Sequence, residues 1–304
     1  MYDILIIGGG PAGLTAALYA ARAGKTVAAL EQAAVGGQIV NSPLVENYPG
    51  LPGVSGADFA SALQEQVEAL GAEILYEEAL SAERTDAGFR VTTDAGAHDC
   101  RALILSIGAK HRSLGLPGEE ALVGSGVSYC AVCDGAFYAD RDVAVVGGGD
   151  TALQDALFLS GLCRRVTVLV RRDRFRGEET RAAQLRQKPN VEIKFRRTVE
   201  ALRETGGVLT GLTLKDQDSG ELSDLPVDGL FLAVGQQPDS GAFAALAETD
   251  GQGYFLAGED TLTGVPGVFV AGDCRKKGVR QLTTAVGDGA SAALAACGYL
   301  DGNG

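Results

Sequence analysis

The sequence predicts an α/β protein with two parallel-sheet modules, and three observations carry that reading. A strand–glycine turn–helix–strand pattern occurs twice. The chain has 304 residues, enough for two domains that each bury a core. Glycine supplies 43 of them, about twice the usual share, with none of the three-residue period of a collagen. A hydrophobic content of 46% with 21% charged residues is ordinary for a folded, water-soluble chain. No stretch reaches the ~18 uncharged apolar residues of a membrane helix. The net charge of −13 argues against nucleic acid as a partner. Met1-Tyr2-Asp3 runs straight into an apolar segment, leaving no room for a cleavable signal, so a cytoplasmic location is expected.

The first copy of the pattern opens with residues 3–7, an apolar run too short for a helix and rich in β-branched residues, hence a buried strand. Gly8-Gly9-Gly10-Pro11-Ala12-Gly13 follows, then a helix from Leu14 to about Ala23 closed by Gly24. The next strand, Thr26 to Leu30, ends in Glu31. The second copy starts 139 residues later with the strand Asp142 to Val146. Its turn is Gly147-Gly148-Gly149-Asp150-Thr151-Ala152, its helix ends near Leu159, and its second strand, Val166 to Val170, leads into Arg171-Arg172.

Each copy fits the dinucleotide-binding fingerprint of a Rossmann-like fold, and the small residues have separate tasks. Gly8 and Gly147 permit the tight turn out of the strand. Gly10 and Gly149 leave room for a pyrophosphate to approach the backbone. Gly13 and Ala152 allow close packing of helix on strand. The anion then lies at the helix N-terminus, where free N–H groups and the helix dipole favour it.

The residues closing the second strands differ between copies. Glu31 can accept hydrogen bonds from ribose hydroxyls and would repel a 2′-phosphate, so the first copy should hold FAD or NAD. Arg171 and Arg172, with Arg176 a turn on, suit a 2′-phosphate through charge-assisted bonds, so the second should hold NADPH. These arginines lie in a basic island. Between Arg164 and Arg197 stand 12 Lys and Arg against 4 Asp and Glu, and a solvated, salt-bridged face is the alternative reading of that run.

Further strand ends finish in glycine and could carry the chain back over the nucleotides: Ala102 to Ile107 before Gly108-Ala109, Gly229 to Val234 before Gly235, and Val268 to Val270 before Ala271-Gly272-Asp273. Thr284 to Leu300 reads as a helix rich in small residues. Among six cysteines, Cys100, Cys163, Cys274 and Cys297 stand alone and read as small buried hydrophobes. Cys130-Ala131-Val132-Cys133 is different. With no second such pair and only two histidines, a structural metal site is disfavoured and a redox-active dithiol is the better account. NADPH would reduce a flavin and the flavin would reduce the disulfide. Cys133 is expected to face the flavin, Cys130 to attack the substrate disulfide, and Asp134 to supply a proton to the leaving thiolate.

Taken together, these segments resemble the low-molecular-weight thioredoxin reductases of the pyridine nucleotide-disulfide oxidoreductases. The likeness runs nearly end to end. It rests on Gly8 to Gly13, Gly36-Gly37-Gln38, residues 45–50 (Val-Glu-Asn-Tyr-Pro-Gly), residues 114–119 (Leu-Gly-Leu-Pro-Gly-Glu) and residues 128–135 around the dithiol. Gly147 to Ala152, Arg171-Arg172 with Phe175-Arg176, Ala271 to Asp273 and Arg280-Gln281 complete it.

The resemblance implies an FAD domain of residues 1–111 and 242–304, with an NAD(P)H domain of residues 112–241 inserted and carrying the dithiol. It implies Gly8, Gly10, Gly13, Glu31, Gln38, Asn47, Gly272, Asp273, Arg280 and Gln281 around FAD, with Pro11, Ala12, Gly37, Gly108 and Ala109 beside them. It places Gly147, Gly149, Asp150, Thr151, Arg171, Arg172, Arg176 and Gly235 at NADPH. It implies a homodimer, a thioredoxin or thioredoxin-like protein as acceptor, and domains that swivel on connections near residues 109–112 and 237–241. Val170 stands where the family pattern has His before the paired arginines, which leaves NADH use open. The other readings are a relative with a different donor or acceptor (NADH- or ferredoxin-dependent, or a dithiol oxidase) and a flavin-bearing regulatory protein.

Overall fold

The structure is a computed structural model that describes residues 1–42, 44–51 and 53–302. The chain divides into two compact units, Met1–Lys110 with Gln237–Gly304, and His111–Gln236. The crossing segments Lys110–His111 and Gln236–Gln237 pair with each other as a two-stranded ribbon.

In the first unit, strand Tyr2–Ile7 lies between Val27–Leu30 and Ala97–Leu105, all parallel, with Glu73–Leu75 beyond Val27–Leu30. Residues 4–7 of this strand are apolar at every position because both faces are covered. Ile4 and Ile6 point into a core with Leu14, Ala17, Val67 and Ala293, while Leu5 and Ile7 point into the opposite core with Leu30, Phe89 and Phe255. Ala97–Leu105 is longer than its apolar stretch suggests. Its first half pairs antiparallel with Gly88–Thr93, and its second half pairs parallel with Val268–Val270. The polar residues His98, Asp99 and Arg101 hide the first half from a search for apolar runs.

The helix Pro11–Arg22 starts at the glycine turn itself, with Pro at its first position, where a missing N–H costs nothing. The helix Leu282–Leu300 crosses it closely. A Cβ on Gly289 would come within 2.2 Å of the Ala12 carbonyl oxygen, which is why small residues line this contact.

The second unit repeats the scheme. Its parallel sheet runs in the order Val191–Phe195, Arg165–Val170, Asp142–Val146, Gly229–Leu232, Val127–Ser128. Helices Asp150–Ser160 and Glu179–Arg186 cover one face through Val143, Val145, Leu153 and Leu185. An antiparallel sheet of Arg197–Thr205, Val208–Asp216 and Leu222–Pro226 covers the other through Leu209, Leu212 and Leu214. Both modules therefore point the carboxyl ends of their central strands at a glycine turn, the usual ligand-binding edge of such sheets.

Candidate functional site

The two glycine turns have matching geometry. Gly8 has φ +106° and Gly147 has φ +155°, and a Cβ on either would come within 2.4 Å of a neighbouring strand's carbonyl oxygen, from Ser106 or Ala233. The Ser106 hydroxyl bonds the carbonyls of Ile7 and Gly8 and so pins the first turn. At Gly10 and Gly149 an added Cβ would meet nothing. Those two positions border open space at a helix N-terminus, the cradle a pyrophosphate needs.

Around the first turn the structure brings together the residues the sequence singles out. Glu31 accepts hydrogen bonds from the backbone N–H groups of Gly9 and Ala33 at 2.9 and 3.0 Å, which holds its carboxylate at the turn with lone pairs to spare. Gly36 N–H bonds the Gly9 carbonyl, Gly37 lies against Gly10, and Gln38 bonds the Ala109 carbonyl. Gly108, with φ +64°, turns the chain just before Ala109. Gly272 sits beside Ala12, where its own added Cβ would be 2.8 Å from the Ala12 methyl. Asn47 Nδ2 donates to Gln281 Oε1 at 3.2 Å, and Arg280 donates to the Asp273 carbonyl while its guanidinium lies over Tyr254.

Asp273 Oδ1 is buried and among the described residues accepts no hydrogen bond, although Lys277 Nζ stands 3.4 Å away as an ion-pair partner. Burial pushes the Asp273 carboxyl up, and the Lys277 ammonium and Arg280 pull it back down. An orphaned acceptor is costly unless a ligand's hydroxyl fills it. Behind it lies a cluster that sequence reasoning does not find. Asp288 bonds Gly272 N–H, Arg275 and Lys277 at 3.0 to 3.2 Å, and Arg275 also reaches Glu259. Arg275, Lys277 and Arg280 spaced after Gly272-Asp273 are the available signal, but Asp288 is concealed among the small residues of its helix.

In the second unit, the backbone N–H groups of Arg176 and Gly177 bond the Gly148 carbonyl, so the arginine loop folds over the turn. Asp150 fastens the loop by accepting from Glu178 N–H at 2.8 Å, and Thr151 follows it, exposed, in the first turn of the helix. Gly235 has φ +105° and its carbonyl accepts from Arg112 N–H. Val170 packs against Gly148, whose added Cβ would lie 3.0 Å from Val170 Cγ1. The basic island divides in two. Arg164, Arg181, Arg186, Arg196 and Arg197 pair with carboxylates, as a salt-bridged face would. Arg171, Arg172 and Arg176 are exposed and, like Arg165, Arg174 and Lys188, have no ion pair among the described residues.

Cys130 and Cys133 form a disulfide in the second unit, with Cα atoms 5.3 Å apart. Cys130 is the N-cap of the short helix Ala131–Asp134 and its Sγ accepts from Cys133 N–H. Ser128, 3% exposed at the end of its strand, accepts from Cys130 N–H at 3.1 Å and donates to Asp134 Oδ2 at 2.6 Å. Burial raises the Asp134 carboxyl, and the Ser128 bond opposes it. Val132 and Phe137 are 48% and 41% exposed, an apolar surface beside the disulfide. The other four cysteines are buried and reduced; burial pushes Cys100 and Cys274 up to about 12 and Cys163 up to about 11, which makes them poor nucleophiles.

Residues 2–289 match the family described as pyridine nucleotide-disulphide oxidoreductase. A thioredoxin reductase of Treponema pallidum is 42% identical over 301 residues, covering 99% of this chain and 97% of that protein. The chain belongs to the thioredoxin reductases of this family. The thioredoxin reductase of Bacillus subtilis is 38% identical over 303 residues, with 99% and 95% of the two chains covered. The crystal structure of thioredoxin reductase from Streptococcus pyogenes superposes with a TM-score of 0.94 at 39% identity, covering 99% of each chain. The family accounts for a disulfide in a chain that carries two glycine-turn modules. Among the described residues no helix is long and apolar enough to cross a membrane.

Proposed function

We propose that this chain is an FAD-dependent reductase that passes electrons from NADPH through the Cys130–Cys133 disulfide to a thioredoxin-like protein disulfide. The observation that carries this reading is the disulfide itself, partly exposed and adjacent to a partly buried carboxyl, in a chain with two glycine-turn cradles. The open space at Gly10 and the unfilled acceptor of Asp273 fit FAD in the first unit. Gly8, Pro11, Ala12 and Gly13 would hold its pyrophosphate, Glu31 its ribose, and Gly37, Gln38, Asn47, Gly108, Ala109, Gly272, Asp273, Arg280 and Gln281 the remainder. Gly147, Gly149, Asp150, Thr151 and Gly235 would line NADPH, with Arg171, Arg172 and Arg176 on its 2′-phosphate. FAD, when bound, accepts a hydride and supplies two electrons to the disulfide.

The chain's own groups perform the thiol exchange. The Cys130 thiolate attacks one sulfur of the partner disulfide, forms a mixed disulfide and expels the other sulfur as a thiolate. Asp134 gives that thiolate its proton. The Cys133 thiolate then attacks Cys130 Sγ, restores the internal disulfide and releases the second partner sulfur. Two electrons leave the enzyme dithiol and two reduce the partner. Val132 and Phe137 offer the apolar ground on which a partner protein can rest. We further infer, from the family resemblance, a homodimer working in the cytoplasm.

Anaerobic titration of the flavoprotein with NADPH and, in parallel, NADH tests the donor. NADPH should bleach the flavin band at far lower concentration than NADH, and Arg171→Ala with Arg172→Ala should erase the difference. Equal bleaching by both nucleotides in the unsubstituted protein would refute the role of the arginines.

A further inference from the structure

The hydrogen bonds around Ser128 have a direction that can be assigned. Cys130 N–H is only a donor, so at 3.1 Å the Ser128 oxygen accepts from it. The single Ser128 proton then has two acceptors in range: Asp134 Oδ2 at 2.6 Å and the Cys130 carbonyl at 3.4 Å. With Asp134 ionised, the proton belongs to the short bond to the carboxylate. With Asp134 protonated, that O–H must itself donate. The Ser128 oxygen can take it as a second accepted bond, and its own proton turns to the Cys130 carbonyl. Ala or Val here would offer neither acceptor nor donor and would leave both protonation states of Asp134 without this partner.

We propose that Ser128 is a positioning residue that keeps Asp134 hydrogen-bonded in both protonation states while tethering the backbone of Cys130. This rests on the reading of Asp134 as the proton donor. Ser128 thereby links the attacking cysteine's backbone and the acid through one oxygen atom. Burial and Ser128 are the two influences on the Asp134 carboxyl, the first raising and the second lowering its pKa. Tyr138, in the 3-10 turn that follows, is the titratable group that senses the Asp134 charge. Asp155, on the helix packed against Ala131–Asp134, is itself pushed up to about 7 by burial and does not shift Asp134.

An acid works only while protonated, so transfer to the partner slows as pH rises through the Asp134 pKa. Losing the Ser128 donor removes support for the ionised form, raises that pKa and moves the alkaline limb upward.

The test is the rate at which pre-reduced holoenzyme is oxidised by a purified bacterial thioredoxin disulfide, followed across pH in the unsubstituted protein, Ser128→Ala, Ser128→Thr and Asp134→Asn. Ser128→Ala should move the alkaline limb up, Ser128→Thr should bring it back, and Asp134→Asn should abolish it. An Asp134→Asn protein that keeps the limb overturns the acid assignment, and this inference with it. A limb lost in Asp134→Asn but unmoved in Ser128→Ala overturns the role of Ser128 alone. A second measurement needs no variant. In the unsubstituted holoenzyme the Cys130 amide proton and the Asp134 carboxyl carbon should titrate by NMR with one midpoint, and an amide that stays still while the carboxyl titrates contradicts the proposal.

Discussion

Asp273 and Asp134 are both partly buried carboxyls whose pKa burial raises, yet their neighbours suit them to opposite tasks. Among the described residues the Asp134 carboxyl bonds one side chain, the uncharged Ser128 hydroxyl, so it can hold a proton and release it to a leaving thiolate. Asp273 faces Lys277 and Arg280, whose positive charges oppose burial and the like charge of Asp288 and so favour its role as an acceptor. FAD affinity should therefore fall as pH drops and Asp273 takes up a proton, at a higher pH than an ordinary carboxylate would show. Asp273→Asn should weaken FAD binding roughly tenfold to a hundredfold, the value of a hydrogen bond to a charged group, and should flatten this pH dependence. Titration of the apoprotein with FAD, followed by flavin fluorescence, measures both effects. An Asp273→Asn protein that binds FAD as tightly as the unsubstituted one would remove Asp273 from the site.

At the scale of the element, the two glycine turns separate folding from binding within a few residues. Gly8 and Gly147 are required by the backbone, because their φ values are positive and a Cβ would strike a neighbouring carbonyl. Gly10 and Gly149 have ordinary backbone angles and open space beside them. Gly8→Ala and Gly147→Ala should thus destabilise the fold, by about 1–3 kcal/mol or more. Gly10→Ala and Gly149→Ala should leave thermal stability of the apoprotein within ~0.5 kcal/mol while weakening FAD and NADPH binding respectively. Calorimetry of the apoproteins together with cofactor titration separates the two classes. Equal stability losses at all four positions would contradict the division.

The same turns show what is legible in the sequence. Strand, glycines and helix leave a local record, so both modules and their strand-end residues can be read directly. The sequence places the first helix start at Leu14 instead of Pro11, because the first turn of that helix is also the glycine turn. The polar first half of Ala97–Leu105 is invisible to it, since the pairing with Gly88–Thr93 depends on distant partners. Ser128 and Asp288 escape for a related reason. Their roles come from hydrogen bonds made across the fold or around one atom, and nothing in their spacing records those bonds.

For the molecule as a whole, two glycine-turn units and one disulfide supply the ordered stations of the proposed electron path. The first unit gathers the residues suited to FAD from both ends of the chain, and the second carries the arginine loop and the dithiol. The chain crosses from one unit to the other at the paired segments Lys110–His111 and Gln236–Gln237. Within the second unit, His111 is bonded to Gln236 and stacked on Tyr129, the residue before Cys130, and burial pushes its pKa down to about 4. The imidazole at the crossing is thus neutral at working pH and tied to the redox loop.

In the proposed path, electrons from NADPH reach Cys130 and Cys133 by way of the flavin. Anaerobic NADPH titration of the holoenzyme, with free thiols counted at the end point, tests it most directly. The unsubstituted protein should take up twice the reducing equivalents of a Cys130→Ser, Cys133→Ser double variant and should expose a new pair of thiols. Flavin bleaching at the same NADPH equivalence in both proteins, with no new thiols, would contradict it.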